Sequence, residues 1–185
     1  MNRKEVLDSV RENVENKNLV KHMLATEAIM RALARHLGTE EDEEEWGLTG
    51  LLHDIDVELT VGDMNAHSKL GADLAREMGA SEATARAILC HNQTHGVSCE
   101  SRMDKALFCV DPLTGLITAA ALVRPDKKLA GLTANSVSKR FKEKGFAAGA
   151  DREQILGCRE LGLELDDFIA LGLKAMQDIA ADLGL

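Results

Sequence analysis

The stretch Trp46-Gly47-Leu48-Thr49-Gly50-Leu51-Leu52-His53-Asp54 decides how this chain folds. Wound as a helix it is apolar on most sides, so it belongs at the centre of a helical assembly and not on its surface. Its two glycines cost helix stability, but they let neighbouring backbones approach closely around its end. That end is a His-Asp pair. Adjacent helical residues point about 100° apart, yet at a C-terminal end both side chains can flank one ion placed beside the last turn.

Working outward, almost every segment carries helical periodicity and strand alternation is nearly absent, which predicts an all-α fold. Upstream, residues 19–37 read as one helix closed by Gly38. Thr39-x-x-Asp42 reads as a capping box for the central helix, with the acidic run 40–45 in its first turns, where the helix dipole favours carboxylates. Downstream, helices are predicted over 66–78, stopping at Gly79, and from a Ser81 cap to about His91. Another spans 103–122, interrupted by Pro112. A linker at 124–132, a second capping box at Asp151-x-x-Gln154 and a final helix over 164–183 complete the chain. With no repeat or low-complexity tract, the expectation is one helical domain over 1–185, with a core at about 17–122 and a C-terminal helical extension at about 123–185.

Aromatic residues are scarce (four Phe, one Trp, no Tyr), so the core must be built from aliphatic side chains and Met. No apolar run reads as a membrane span, and residues 1–10 lack the apolar centre of a secretory signal, so a cytoplasmic protein is expected. The four cysteines form no C-x-x-C pair and are expected as small buried hydrophobes or free thiols. The net charge of -9 argues against sequence-independent binding to nucleic acid. Segment 124–159 runs the other way, with nine Lys and Arg against four Asp and Glu. It reads equally as a solvated face or as a place to hold a phosphorylated small molecule.

The histidines divide into groups. His22 shares a helical face with Ala25, Thr26, Ile29 and Leu33; His67 stands likewise to Leu70, Gly71, Leu74 and Met78; His91 ends a stripe of Thr84, Ala87 and Ile88. One such histidine is usually a core residue with a hydrogen-bond partner. Three, beside His53 and Asp54, point to a shared site, and imidazole with carboxylate selects a first-row transition metal. Asp111 follows four hydrophobic residues, where a carboxylate needs a partner or a metal. Because Pro112 suits a first helical position, an N-cap is the plainer reading of Asp111 alone, and one carboxylate can do both. His36 lies fourteen residues beyond His22, ~21 Å along a helix, and suits the helix C-terminus instead. His95 falls in a loop, as a candidate for proton transfer or substrate contact.

The order His22, His53-Asp54, Asp111, over roughly residues 17–122, resembles the signature of the HD superfamily of metal-dependent phosphohydrolases. The resemblance implies an all-helical bundle holding metal between its helices. His67 and His91, between the pair and Asp111, are similar to the binuclear branch. There His22, His53, Asp54 and Asp111 would hold one metal and His67 and His91 a second, with Asp54 bridging and central to catalysis. The absence of Gly-Lys after His53-Asp54, and of any Tyr for a Gly-Tyr-Pro element, argues against cyclic dinucleotide cleavage.

The reading that follows is hydrolysis of a phosphate ester or anhydride in a small metabolite, a nucleotide being favoured. Its cofactor would be one or two divalent metals, Fe or Mn ahead of Zn or Ni. Phosphate contacts are expected from Lys127, Lys128 or Arg152, with Lys139, Arg140, Lys142 and Lys144 as further basic residues. The rivals are a metal- or nucleotide-binding module without turnover and a di-iron oxygenase of the same fold. Neither a nucleic-acid nor a membrane partner is expected, and homo-oligomerisation is open.

Overall fold

Six of the helices begin where a short polar side chain takes up free backbone N–H groups. Asn2, Asn16, Ser81, Ser101, Thr133 and Asp151 all do so as N-caps. In the computed structural model, which describes residues 1–39, 42–143 and 145–185, ten α-helices and no strand occur among the described residues. They are α1 (Arg3–Asn13), α2 (Lys17–His36), α3 (Glu43–Leu52), α4 (Lys69–Glu77), α5 (Glu82–His91), α6 (Arg102–Leu122), α7 (Ala134–Lys142), α8 (Arg152–Leu156), α9 (Leu165–Asp178) and α10 (Ala180–Leu183). The all-α expectation holds.

Helix α2 is the shared wall of two apolar clusters. On one side Ile29, Met30 and Leu33 pack with α6 and α9 through Leu113, Ile117, Phe168 and Met176. On the other, Val20 and Met23 meet α1, α3 and α5 through Val6, Leu51, Leu52 and Ile88. Helices α2 and α3 touch almost backbone to backbone. A Cβ at Gly50 would fall 2.9 Å from the backbone N of Glu27 and the carbonyl carbon of Thr26. The close approach expected of the α3 glycines is therefore realised at Gly50; at Gly47 the neighbour is the Arg31 side chain. Buried Glu27 accepts from Arg3 at 2.6 and 2.9 Å and from Arg31 at 3.0 Å, tying α1 to α2.

The structure corrects four sequence expectations. Pro112 does not interrupt its helix: α6 runs unbroken over 21 residues. Pro112 gives up one backbone N–H, and the burial of Leu107, Cys109, Val110, Leu113, Leu116 and Ile117 around it offsets that loss. Asp111 thus sits inside the helix and is no N-cap. Second, α4 begins at Lys69, not near residue 66, because Ser68 adopts a left-handed φ of 70°. His67 therefore precedes the helix. Third, Thr39 does not cap α3; its hydroxyl donates to the Ala34 carbonyl and Asp42 takes the cap position. Glu40 and Glu41 lie outside the described residues, whereas Glu43, Glu44 and Glu45 occupy the first turn as expected. Fourth, the last helix divides at Ile179 (φ -113°, ψ 21°) into α9 and α10.

Among the described residues α6 is the one helix long and apolar enough to cross a membrane, although no apolar run in the sequence reads as a span. Here it is the core helix, with 61% of its most apolar window buried.

Two glycine-to-alanine changes test the α2–α3 contact by thermal unfolding. Gly50→Ala gains ~1 kcal/mol of helix propensity but forces overpacking that typically costs ~1–3 kcal/mol, so its Tm should fall. Gly115→Ala, in α6 with nothing within 4 Å of the new methyl, should gain only the propensity and raise Tm. Equal shifts in the two variants would mean that α2 and α3 are not held in contact through Gly50.

Candidate metal centre

Five segments converge beneath the bundle's surface. His22 comes from α2, His53 and Asp54 from the end of α3, His67 from the turn before α4, His91 from the last residue of α5 and Asp111 from within α6. The Asp54 carboxylate lies between the rings. Its Oδ2 is 3.4 Å from His53 Nε2 and 3.6 Å from His22 Nε2. Its Oδ1 is 3.4 Å from His67 Nε2 and 3.5 Å from His91 Nε2. On the first side Asp111 Oδ1 closes in, 3.1 Å from His22 Nε2 and 3.8 Å from His53 Nε2. Two groups could each hold an ion: His22, His53 and Asp54, and Asp54, His67 and His91, with ligand atoms in each group within 4.8 Å of one another.

All four rings turn the same nitrogen inward because the other is already occupied. His53 Nδ1 donates to the Gly50 carbonyl at 2.8 Å and His91 Nδ1 to the Ile88 carbonyl at 2.6 Å. His67 Nδ1 donates to Asp56 Oδ1 at 2.9 Å. His22 Nδ1 meets the Thr114 hydroxyl at 2.7 Å, and Thr114 in turn donates to the Asp111 carbonyl. Because a carbonyl or carboxylate can only accept, the proton of those three rings sits on Nδ1 and the Nε2 lone pair faces the centre. Such outward bonds fix the tautomer and aim of a metal-ligating imidazole. His22 and His53 bring two Nε2 atoms to 3.1 Å of each other. Two facing lone pairs need a shared cation, a metal or a proton, so the donor set fits a transition metal.

The electrostatics agree. Burial would raise the Asp54 carboxyl, but the His53 and His91 rings outweigh it and hold the group below the usual carboxylate range. Burial likewise opposes ionisation of Asp111, and the rings of His22 and His53 reverse that effect. His53, His67 and His91 lose charge stabilisation through burial, yet their neighbouring carboxylates raise all three above the ordinary imidazole value. The cluster is thus built to hold positive charge beside ionised carboxylates.

Asp56 is the residue that sequence reasoning passed over. Fully buried, it accepts from His67 Nδ1 and from the backbone N–H groups of Ser68 and Gly71, each of the latter at 2.8 Å. It caps the start of α4, holds the left-handed turn at Ser68 and aims His67. The signal was an acidic residue two beyond His53-Asp54 in an apolar setting. Thr114, three residues beyond Asp111, was also missed.

The remaining candidates lie away from the centre or beside it. His95 sits in a 3-10 turn with Nε2 2.6 Å from the His67 carbonyl and 3.2 Å from the Asn92 amide, so it braces the His67 turn from behind. Lys127 and Lys128 line a cavity of about 790 Å³ together with His22 and Lys21. Arg152 has no such freedom: its guanidinium donates to the carbonyls of Phe141, Phe146, Ala147 and Ala150. Its expected place at a phosphate gives way to tying the end of α7 to Phe146, Ala147 and Ala150. Arg140 pairs with Glu143, His36 ends α2 as expected, and Lys144 lies outside the described residues. A second cavity, of about 390 Å³, opens directly on Asp54, His67, His91 and Asp111.

Asp56→Asn should loosen the His67 side alone. The amide cannot accept from His67 and both backbone N–H groups as a carboxylate does. Metal analysis should then find the ion on the His67–His91 side lost and the one on the His22–His53 side retained. Full retention of both would show that Asp56 does not orient His67 for an ion.

No curated relative and no solved structure matches the chain. A family model does: the HD domain matches residues 19–130, which takes in all six residues of the cluster. The chain belongs to the HD domain family, whose members are generally metal-dependent phosphohydrolases.

Proposed function

We infer that this protein hydrolyses a phosphate ester or anhydride of a small metabolite, a nucleotide being the favoured class, at a binuclear centre. The observation that carries this reading is the division of Asp54, with Oδ2 turned to His22 and His53 and Oδ1 to His67 and His91. His22, His53, Asp54 and Asp111 would hold one divalent transition metal, Fe or Mn ahead of Zn or Ni, and Asp54, His67 and His91 a second. Such ions supply a nucleophilic water at neutral pH and positive charge for phosphoryl oxygens.

The chain's own residues do the rest. Asp111 is the most exposed of the six, with 30% of its side chain accessible, and faces the 390 Å³ cavity. A phosphoryl group entering there meets the cluster while Gln93, Thr94 and Gln154 offer neutral polar contacts along the wall. Lys21, Lys127 and Lys128, in the larger cavity beside His22, offer the positive charge for a further anionic group of the substrate. Asn92 spends its amide on the Met64 and His67 carbonyls, holding the wall that carries His67. His95 fits a positioning part in that same wall better than proton transfer, since its Nε2 is committed to backbone.

A phosphate-release screen on a nucleotide panel, run with whole-protein metal analysis, tests the reading. His53→Ala and Asp54→Ala should each lose phosphate release and most bound metal, while circular dichroism shows unchanged helix content. Metal bound without release of phosphate from any member of the panel would favour a binding module. Oxygen consumption with iron bound would favour an oxygenase. A His53 or Asp54 variant with full metal content would remove the assignment of the ligands themselves.

A further inference from the structure

Directly behind His91 lie two thiols in contact. Cys90, the residue before His91 on α5, and Cys99, in the loop leading to α6, have their Sγ atoms 3.1 Å apart. Cys99 Sγ is also 3.6 Å from the Cys90 carbonyl. The loop is held there from outside: Arg86 on α5 donates to the Ser98 carbonyl at 2.8 Å and pairs with Glu100 at 3.2 Å. The two other cysteines are placed differently. Cys109 and Cys158 are both fully buried in the α6–α9 cluster, their thiols directed at carbonyls as that of Cys90 also is. Cys90 is buried as well, but Cys99 is partly exposed, and both line a cavity of about 310 Å³ with Lys105, Phe108 and Glu160.

We propose that Cys90 and Cys99 form a reversible disulfide by exchange with low-molecular-weight disulfides, and that this bond fixes the segment carrying His91, Asn92 and His95. The exchange balances without another reactant. The Cys99 thiolate attacks one sulfur of the small disulfide, its S–S bond breaks, and one small thiolate leaves. The Cys90 thiol loses its proton to solvent, attacks the Cys99 sulfur and expels the second small thiolate. Two protein thiols are oxidised and one small disulfide is reduced to two thiols. Sulfurs already in contact need to close only to the ~2.05 Å of the bond.

What the ring encloses gives the bond its consequence. Residues 90–99 include His91 and both braces of the His67 turn, the Asn92 amide and the His95 ring. Closing that ring removes chain freedom from the wall holding one side of the metal centre. Its effect on an ion rests on the ligand assignment under Proposed function; its effect on the backbone does not.

The test is incubation of the purified full-length protein with oxidised glutathione, followed by thiol counting, peptide mapping and amide hydrogen exchange. Two of the four thiols should disappear, with Cys90 linked to Cys99 and Cys109 and Cys158 still free. Amides in residues 63–68 and 91–99 should exchange more slowly, on the order of tenfold, the scale expected when a short ring is closed. A thiol reductant should restore both readings. Cys90→Ser should instead retain a glutathione adduct on Cys99, and Cys99→Ser should gain neither adduct nor cross-link. Four free thiols after incubation, a cross-link through Cys109 or Cys158, or unchanged exchange in the linked protein would each overturn the proposal. Protein that forms the bond and gains protection, yet binds no metal oxidised or reduced, would sustain this inference and sink the ligand assignment instead.

Discussion

A buried carboxylate with two faces organises this molecule. Asp54 lies between four imidazoles, two on each oxygen, and stays ionised there only with positive charge held among them. Those imidazoles come from four separate segments, so the turn before α4, the ends of α3 and α5 and the flank of α2 must all meet at one point. The close seating of α3 on α2 follows from the same need. Gly50 removes the side chain that would otherwise press on the α2 backbone at Thr26 and Glu27 and hold the two helices apart.

Outside the cluster, every ring has a reason to face inward. The anchors are ordinary groups: two backbone carbonyls, one hydroxyl and the Asp56 carboxylate. Carbonyls at the ends of α3 and α5 are available because the last turn of a helix leaves them without a backbone partner. His53 and His91 exploit this with the same three-residue spacing, to Gly50 and Ile88. The His67 ring has no helix end to use, so Asp56 supplies both its anchor and the cap for α4. The two halves of the site therefore rest on different supports. The first is built into packed helices throughout; the second takes His91 from the buried end of α5 but hangs His67 on a turn, one carboxylate and the braces of Asn92 and His95.

The His22, His53 and Asp111 side is backed by α2 and α6, where Leu113, Leu116 and Ile117 are wholly buried. That packing also lets α6 carry Pro112 without a break, which keeps Asp111 at the centre of a rigid element. The His67 side borders residues 59–64, where Leu59, Val61 and Met64 are exposed. Residues 61–65 are all exposed, so this stretch has few buried contacts, and it is held by the Asn92 amide that a ring closed between Cys90 and Cys99 would enclose.

Much of this was legible in the amino-acid order alone. Helical periodicity, Gly38, Gly79 and the caps at Ser81 and Asp151 determined most helices, because those signals act within a few residues of each other. The pattern of His22, His53-Asp54 and Asp111 pointed to the family that the HD domain match then established, because chemistry limits which side chains can share an ion. Tertiary structure decided the rest, since it depends on what distant segments bring. Pro112 reads locally as a helix start, and only the surrounding core carries the helix through it. His67 reads as a residue on an apolar helical stripe. The Asp56 carboxylate, eleven residues away, instead stabilises a left-handed turn at Ser68 and turns the ring to Asp54. Arg152 reads as a free cation until the carbonyls of Phe141, Phe146, Ala147 and Ala150 gather around its guanidinium. Cys90 and Cys99 carry no motif spacing, and only the return of the loop against α5 brings their sulfurs together.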